Sequence, residues 1–578
     1  MLESINSPAD IKKLSVQDLQ TLADETRAAV INKVSKAGGH IGPNLGMVEA
    51  TVALHYVFNS PVDKFVFDVS HQCYPHKILT GRKQAFLDSA HFHDVTGYTN
   101  PLESEHDHFI VGHTSTSISL ALGLAKARDL KKSDENIIAI IGDGSLSGGE
   151  ALEALDYAGE YAGNLIIIAN DNDQSIAENH GGLYKSLRAL RESGGKSANN
   201  IFTAFGLDYR YLEDGNDTAK LVEFFQNAKG IDHPIVLHIH TIKGKGLPFA
   251  EKDREPWHAG GPFNAADGSR EGGGSADTTV FDSLKKLLDT NDKAIVLNAA
   301  TPMGLGFVGK IREDYVARGQ FADVGIAEEN AVAMAGAAAK NGATAVFGTF
   351  APFFQRVYDQ MSHDVALNSA PATFLILSPG VFGMNSNTHT ALADIQMFAH
   401  IPNMVYLAPA NKEEYEQMFS YATSQKKNPV AIRVPGAFAV SGTKDDTDYS
   451  VLKNKIVQKG EGTAIFAFGE LLPIALNAAK IVKEKTGKEI TVVNPRFLNA
   501  LDTELLESLK KDHSRIITIE DGLLQGGYGQ TIASFYGNTD MRVINHGISR
   551  AFYTDFDALS ILASHGISAE NLAKEAMM

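Results

Sequence analysis

The chain has 578 residues, with 52 Lys+Arg against 69 Asp+Glu, a net charge of −17, 44% hydrophobic residues and one cysteine. At roughly 100–200 residues per domain this predicts three or more domains, each with its own core; the ordinary composition excludes intrinsic disorder, a collagen-like repeat and a disulfide scaffold. The acidic balance argues against a nucleic-acid or anionic-membrane partner, although a local basic pocket can still hold phosphate. No stretch of about 18 apolar residues is present to span a bilayer. The opening MLESINSPADIKKLS lacks the basic and apolar regions of a signal peptide. The expectation is a soluble, cytoplasmic protein.

In chain order, Ile137 to Ile141 reads as a strand apolar on both faces, followed at once by Gly142-Asp143-Gly144. A helix is predicted over Gly149 to Tyr161, with Leu152, Leu155 and Ala158 on one face, and a second strand over Leu165 to Ala169. Strand, helix, strand is a βαβ unit of a buried parallel sheet. The stretch from Glu178 to Asn200 is polar and basic; it reads either as a solvated helix and loop or as a mobile segment over a site. Gly260-Gly261-Pro262 through Gly272-Gly273-Gly274-Ser275 reads as a flexible connector, and its Gly-Gly-Gly-Ser string looks like an engineered linker. Strands follow at Ala343 to Phe347, Thr373 to Leu377, Met404 to Leu407 and Val430 to Val434. After a boundary near Ser441 to Asp446, a third series is predicted at Thr463 to Phe468, Ile490 to Val493 and Ile516 to Ile519. The fold class is α/β, three domains with mostly parallel sheets, divided as 1–265, 276–441 and 447–578.

Asp143 ends one strand and Asn172, in Asn170-Asp171-Asn172, ends the next. Two oxygen ligands at neighbouring strand ends can hold one hard cation, with diphosphate oxygens completing its octahedron. Gly144 lets the backbone approach a phosphate, and the helix that follows favours an anion at its N-terminus. This strand–GDG–helix–strand–Asn arrangement is the thiamine diphosphate motif. His238 and His240 share a strand face, but no third metal ligand accompanies them, and His91 and His93 are set aside for the same reason. Cys73 reads as a small packing residue.

Beyond that motif, nearly the whole chain resembles the 1-deoxy-D-xylulose-5-phosphate synthase family, relatives of transketolase. The resemblance rests on GGHIGPNLG (38–46), VSHQCYPHKILTGR (69–82), VGHTSTSIS (111–119), IKGKG (242–246), VGIAEENAV (324–332), FFQRVYDQ (353–360), NTHT (387–390) and EDGLLQGGYG (520–529). It implies a transketolase-like fold, a homodimer, Mg2+ and thiamine diphosphate. It also implies loss of CO2 from pyruvate, transfer of the two-carbon unit to D-glyceraldehyde 3-phosphate, and a place in isoprenoid biosynthesis. By resemblance, Asp143, Asn172 and the Gln174 carbonyl bind Mg2+. His71, Gly112, His113, Thr114, Gly144, Ser145 and Asn172 contact the cofactor. Glu328 matches the glutamate that bonds the aminopyrimidine ring and favours the tautomer able to remove the thiazolium C2 proton. His40 and His258 resemble histidines near the reacting carbon, and Arg356, Asn385 and His389 fall at substrate-binding positions. His389 is also placed among the catalytic residues.

Some positions depart from the family. Glu329, Asn330 and Leu247 stand where Gln, His and Tyr are usual, and Phe350 and Asn385 where Tyr and Asp are usual. Ser378 and Gly436 replace two arginines that hold the acceptor phosphate. At roughly 1.5–3 kcal/mol for each charge-assisted hydrogen bond, their loss would weaken triose-phosphate binding by about 3–6 kcal/mol unless other cations compensate. The expected acceptor is therefore D-glyceraldehyde 3-phosphate or a related, unphosphorylated aldehyde. Two other readings remain: a transketolase-like ketol transferase, and a cofactor-binding scaffold without activity.

Overall fold

The computed structural model describes residues 1–270, 277–554 and 556–578. The chain divides into two compact units, Met1–Ser275 with Gly325–Ala327, and Ala276–Val324 with Glu328–Met578. The first holds one five-stranded sheet: β1 (Lys64–Phe67), β2 (Ile137–Gly142), β3 (Leu165–Asp171), β4 (Asp208–Leu212) and β5 (Pro234–His240). Its order is β1-β2-β3-β5-β4, and every pair is parallel. Alternate residues of the Ile-rich runs serve two cores. Ile138, Ile140, Ile166 and Ile168 face one; Ile137, Ala139, Ile141, Leu165 and Ile167 face the other. Burial on both faces is what makes these strands continuously apolar.

The second unit holds two sheets. One comprises β6 (Ala294–Asn298), β7 (Phe321–Asp323), β8 (Thr344–Phe350), β9 (Thr373–Leu377), β10 (Val405–Leu407) and β11 (Val430–Val434), ordered β10-β11-β9-β8-β6-β7 and parallel throughout. The other comprises β12 (Lys455–Gln458), β13 (Gly462–Ala467), β14 (Thr491–Asn494), β15 (His513–Leu523) and β16 (Arg542–Ile548), ordered β12-β14-β13-β15-β16, with only β12 antiparallel. A single apolar cluster joins Phe347, Phe374 and Tyr406 of the first sheet to Phe466, Val493 and Ile516 of the second, so these two sheets share a core. Three α/β sheets in series are thus present, as the strand pattern predicts.

Three local expectations change. The helix after the GDG turn runs over Gly149–Ala158 and buries Ala151, Ala154, Leu155 and Ala158, with Leu152 only half-buried. Within the expected connector, residues up to 270 are pinned to the first unit. Gly260 pairs with Gly39, the Phe263 N–H donates to Ser35 O at 2.9 Å, and Arg270 stacks 4.5 Å from the Trp257 ring. Gly272 to Ser275 lie outside the described residues. The polar stretch 178–200 is neither wholly solvated nor a bare loop. It forms a helix, Gly182–Glu192, that buries Tyr184, Leu187 and Leu190, and its Arg191 pairs with Asp171 and Asp173.

Candidate active site

The register of the first sheet sets the geometry. Gly142 of β2 lies opposite Asn170 of β3, so Asp143 and Asn172 leave neighbouring strands at the same end. That C-terminal end is where open α/β sheets bind ligands. Asp143 is buried, and its Oδ2 accepts from the Gln174 N–H at 3.0 Å and from Asn179 Nδ2 at 2.7 Å. Burial and then the neighbouring Asp171 hold the Asp143 carboxyl well above the usual carboxylate range. Burial would also raise Asp171, but His238 and Arg191 outweigh it and hold that carboxylate low. Among the described residues the buried Asn172 Oδ1 has no hydrogen-bond partner, and neither has Asn179 Oδ1. A buried acid whose charge needs an external partner, beside an unanswered amide oxygen, is a donor set that fits a hard cation.

The GDG segment is a short 3₁₀ turn, Asp143–Ser147, before the helix begins. A Cβ on Gly144 would lie 2.9 Å from the Ser175 side chain, so glycine is required there for close approach of the chain itself. The Tyr184 hydroxyl donates to Gly144 O at 3.1 Å, which ties the 182–192 helix to this turn. The segment carrying Gly112, His113 and Thr114 docks beside it. Ser115 Oγ donates to Ser145 O at 2.8 Å, and the N–H groups of Ser115 and Ser117 donate to Asp68 at 2.9 and 3.0 Å. Val69, Ser70 and Ser115 all adopt left-handed φ, of 57°, 64° and 76°. Such strain costs of order 1–3 kcal/mol per residue, persists only where the surroundings impose it, and gathers at functional sites.

Histidines from three separate motifs meet in this unit. The His40 and His71 ring centroids are 5.1 Å apart, His40 and His258 5.6 Å, and His71 and His258 5.1 Å. Asn44 Nδ2 donates to the carbonyls of both His40 and His71 at 2.7 Å, and the Gly42 N–H donates to Trp257 O at 2.9 Å, which brings in the His258 loop. Burial, then Lys243, pushes His40 down to about 4 and His258 well below its ordinary value. Both rings are neutral at pH 7 and able to accept a proton. Behind them, His76 bonds His55 at 2.9 Å and Asp107 at 2.9 Å, which anchors the 74–82 stretch.

Lys243 was not singled out from the sequence. Its Nζ donates to Ser175 O and lies 3.3 Å from His258 Nδ1, and burial lowers it to about 7. A buried ammonium beside Asp143 and the histidines suits an arriving anion. Asn44 and Asn179 were likewise missed; the only sequence signal for them was their place inside matching or polar segments.

In the second unit, Glu328 opens the helix Glu328–Lys340 and is 4% exposed, with its Oε2 unpartnered among the described residues. Burial raises it to about 7, against the pull of Arg356. Phe353, close to Arg356 in sequence, sets its ring 5.7 Å from His389. His389 Nδ1 also meets Thr388 Oγ1 at 2.9 Å, while Asn385 is exposed on the same loop. That loop, from Ser378 to Ala391, closes through the Gly380 N–H on Ala391 O at 2.9 Å.

His238 is occupied by Asp171 at 3.0 Å and Tyr209 at 2.8 Å, and His240 bonds Glu213 at 3.0 Å. Among the described residues no group of three or more His, Cys, Asp or Glu is placed to hold a metal. Cys73 is buried and its thiol is pushed up to about 12 by that burial, which fits a packing role. Leu247 is buried in the first core. Among the described residues no helix is long and apolar enough to cross a membrane.

Residues 2–198 match the family described as 1-deoxy-D-xylulose-5-phosphate synthase, residues 277–437 the transketolase pyrimidine-binding domain, and residues 452–572 the transketolase C-terminal domain. The class is thus a transketolase-like, thiamine diphosphate-dependent transferase. The chain is 37% identical to 1-deoxy-D-xylulose-5-phosphate synthase 1 of Geobacter sulfurreducens, over 99% of this chain and 96% of that one. It is 36% identical to 1-deoxy-D-xylulose-5-phosphate synthase of Caldanaerobacter subterraneus subsp. tengcongensis, over 99% and 98%. Transketolase from Campylobacter jejuni aligns at 18% identity with a TM-score of 0.43, over 98% of this chain and 100% of that one. The chain belongs to the 1-deoxy-D-xylulose-5-phosphate synthase family.

Proposed function

We propose that the chain joins the two-carbon unit of pyruvate to an aldehyde, as its relatives' name describes, in the service of isoprenoid-precursor synthesis. The balance is pyruvate anion, aldehyde and one proton giving a 1-deoxyketose and CO2: the C1–C2 bond of pyruvate breaks and a bond from C2 to the aldehyde carbon forms. The observation that carries this reading is the meeting of His40, His71 and His258 around Lys243 in the unit that also holds Asp143 and Asn172. Bound thiamine diphosphate would supply the electron sink that makes loss of CO2 possible.

The protein's part is orientation and proton handling. Asp143, Asn172 and the Gln174 carbonyl would hold Mg2+, and Lys243, Gly112, His113, Thr114, Gly144 and Ser145 would bind the diphosphate end, with His71 beside it. Glu328, with an unpartnered oxygen and an acidity near neutrality, can give a proton to a ring nitrogen and take it back. Neutral His40 and His258 can relay a proton to the new alkoxide, each ring releasing the proton of one nitrogen as the other nitrogen takes one up from solvent, while Arg356, Asn385 and His389 would position substrate. The same reading divides the chain into domains at 1–265, 276–441 and 447–578, assembled as a cytoplasmic homodimer.

Release of 14CO2 from [1-14C]pyruvate tests this reading. Release is expected only with thiamine diphosphate and a divalent cation, and it should rise when an aldehyde is added. No release under any of these conditions, together with two-carbon transfer from a ketose phosphate, would establish the ketol-transferase reading in its place.

A further inference from the structure

Asn172 lies between two fixed points of the chain. β3 ends at Asp171, whose carbonyl accepts from the Thr241 N–H at 2.9 Å. Asp173 adopts a left-handed φ of 60°, and its N–H donates to Asp171 Oδ1 at 3.0 Å. Between them, Asn172 offers one oxygen from its side chain and one from its backbone. The side-chain Oδ1 is buried and has no partner among the described residues. The backbone oxygen is taken: Arg254 Nη1 donates to it at 2.7 Å.

Arg254 comes from a separate segment, the turn between the short helix Pro248–Lys252 and His258. Its Nε donates to Glu251 O at 3.4 Å, and the His258 N–H donates to Glu255 O at 3.2 Å, so the turn is closed on both sides of the arginine. A second cation repeats the tie. Lys243 Nζ donates to Ser175 O while lying 3.3 Å from His258 Nδ1. Residues 172–175 are thereby held at two carbonyls by two cations that border the histidine cluster, and such charge-assisted bonds are about twice as strong as neutral ones. With its carbonyl occupied by a guanidinium, Asn172 keeps only Oδ1 for a metal ion, and the backbone orientation that Arg254 fixes sets where that oxygen can point. A guanidinium never loses its charge and cannot itself ligate a metal.

We propose that Arg254 is a positioning residue of the metal site: through the Asn172 carbonyl it aims Asn172 Oδ1 at the divalent cation and couples that segment to the loop carrying His258. This deepens the function proposed above and rests on its assignment of Asn172 as a ligand. The sign of the effect separates positioning from charge. A positive group near a cation site weakens that site by repulsion, so charge alone would make loss of Arg254 tighten the metal, whereas loss of positioning loosens it.

Calorimetric titration of the full chain with thiamine diphosphate, at a series of Mg2+ concentrations, tests the proposal. Arg254→Met should raise the Mg2+ concentration for half-maximal cofactor binding by about tenfold, the lower end of what losing a group that orients a metal ligand costs. Arg254→Lys, which keeps a donor of similar reach, should recover most of the loss. Asn172→Ala should raise the requirement at least as far, and adding Arg254→Met to it should raise it no further, because the arginine acts only through that residue. Melting of the apo variants should change little, since Arg254 is half-buried. A Mg2+ requirement unchanged or lowered in Arg254→Met, or effects that multiply in the double variant, would overturn the proposal while leaving Mg2+-dependent binding by the wild type intact. Cofactor binding by the wild type that needs no divalent cation would instead remove the metal assignment, and the positioning role with it.

Discussion

Asp143→Ala is expected to abolish thiamine diphosphate binding, with at least a 100-fold rise in apparent Kd in calorimetric titration with Mg2+ present. Loss of partners that merely orient metal ligands typically costs about 10–100-fold in metal affinity, and Asp143 is proposed as a ligand itself. The apo chain should tolerate the change, because it removes a buried acid that burial and Asp171 already disfavour in its charged form. Unaltered melting of the apo variant, together with lost binding, separates ligand loss from misfolding. Tight binding equal to the wild type would show that the cation is held elsewhere.

The second large effect concerns Glu328. Glu328→Ala should still bind cofactor but slow hydrogen–deuterium exchange at its C2 position by at least about 100-fold, of the order general acid–base groups contribute. Exchange at the wild-type rate would transfer the role to Glu329. The same residue makes a pH-dependent prediction. Burial raises it from its ordinary 4.5 to about 7, so between those values the folded chain holds a proton that the unfolded chain has lost. The stability this contributes is complete below about 4.5 and disappears as pH rises through 7. Glu328→Gln, which cannot ionise, should therefore change apo stability little at pH 5 and raise it at pH 8 by up to about 3 kcal/mol, at 1.36 kcal/mol per pH unit. Equal effects at the two pH values in denaturant melts would show that the carboxyl is not held neutral by burial.

The sheets were legible where their strands are interior. β2, β3, β8, β9, β11, β13, β14 and β15 are paired on both sides, and their apolar runs stand out against Gly-rich turns. The strands not foreseen are mostly edges: β1, β4, β7, β12 and β16. Asp-Tyr-Arg-Tyr-Leu in β4 and Lys-Ile-Val-Gln in β12 keep much of their surface exposed or half-buried, so nothing in their composition sets them apart from loops. At the site, residues inside recognisable motifs were named, and the structure gathers His40, His71 and His258 from three of them. Groups that matter through distant contacts were invisible. Lys243 acquires its character from burial beside Asp143, a pairing that no local pattern encodes. Arg433 illustrates the reverse: its closeness to Gly436 in the chain invites a substrate role, but its side chain turns away into the core.

That inward turn ties β11 in one sheet of the second unit to β15 in the other, through a buried arginine between Asp394 and Asp521. Removing one member strands charge in the core at about 3–5 kcal/mol, whereas exchanging the whole group for apolar residues of like volume is often neutral or better. The three positions therefore behave as one heritable character. Single changes should vanish from a randomised library under selection for folding, and survivors at Arg433 should carry compensating changes at both aspartates. Descent can change exposed positions such as Gly436 one residue at a time, but it can alter this knot only by a simultaneous jump.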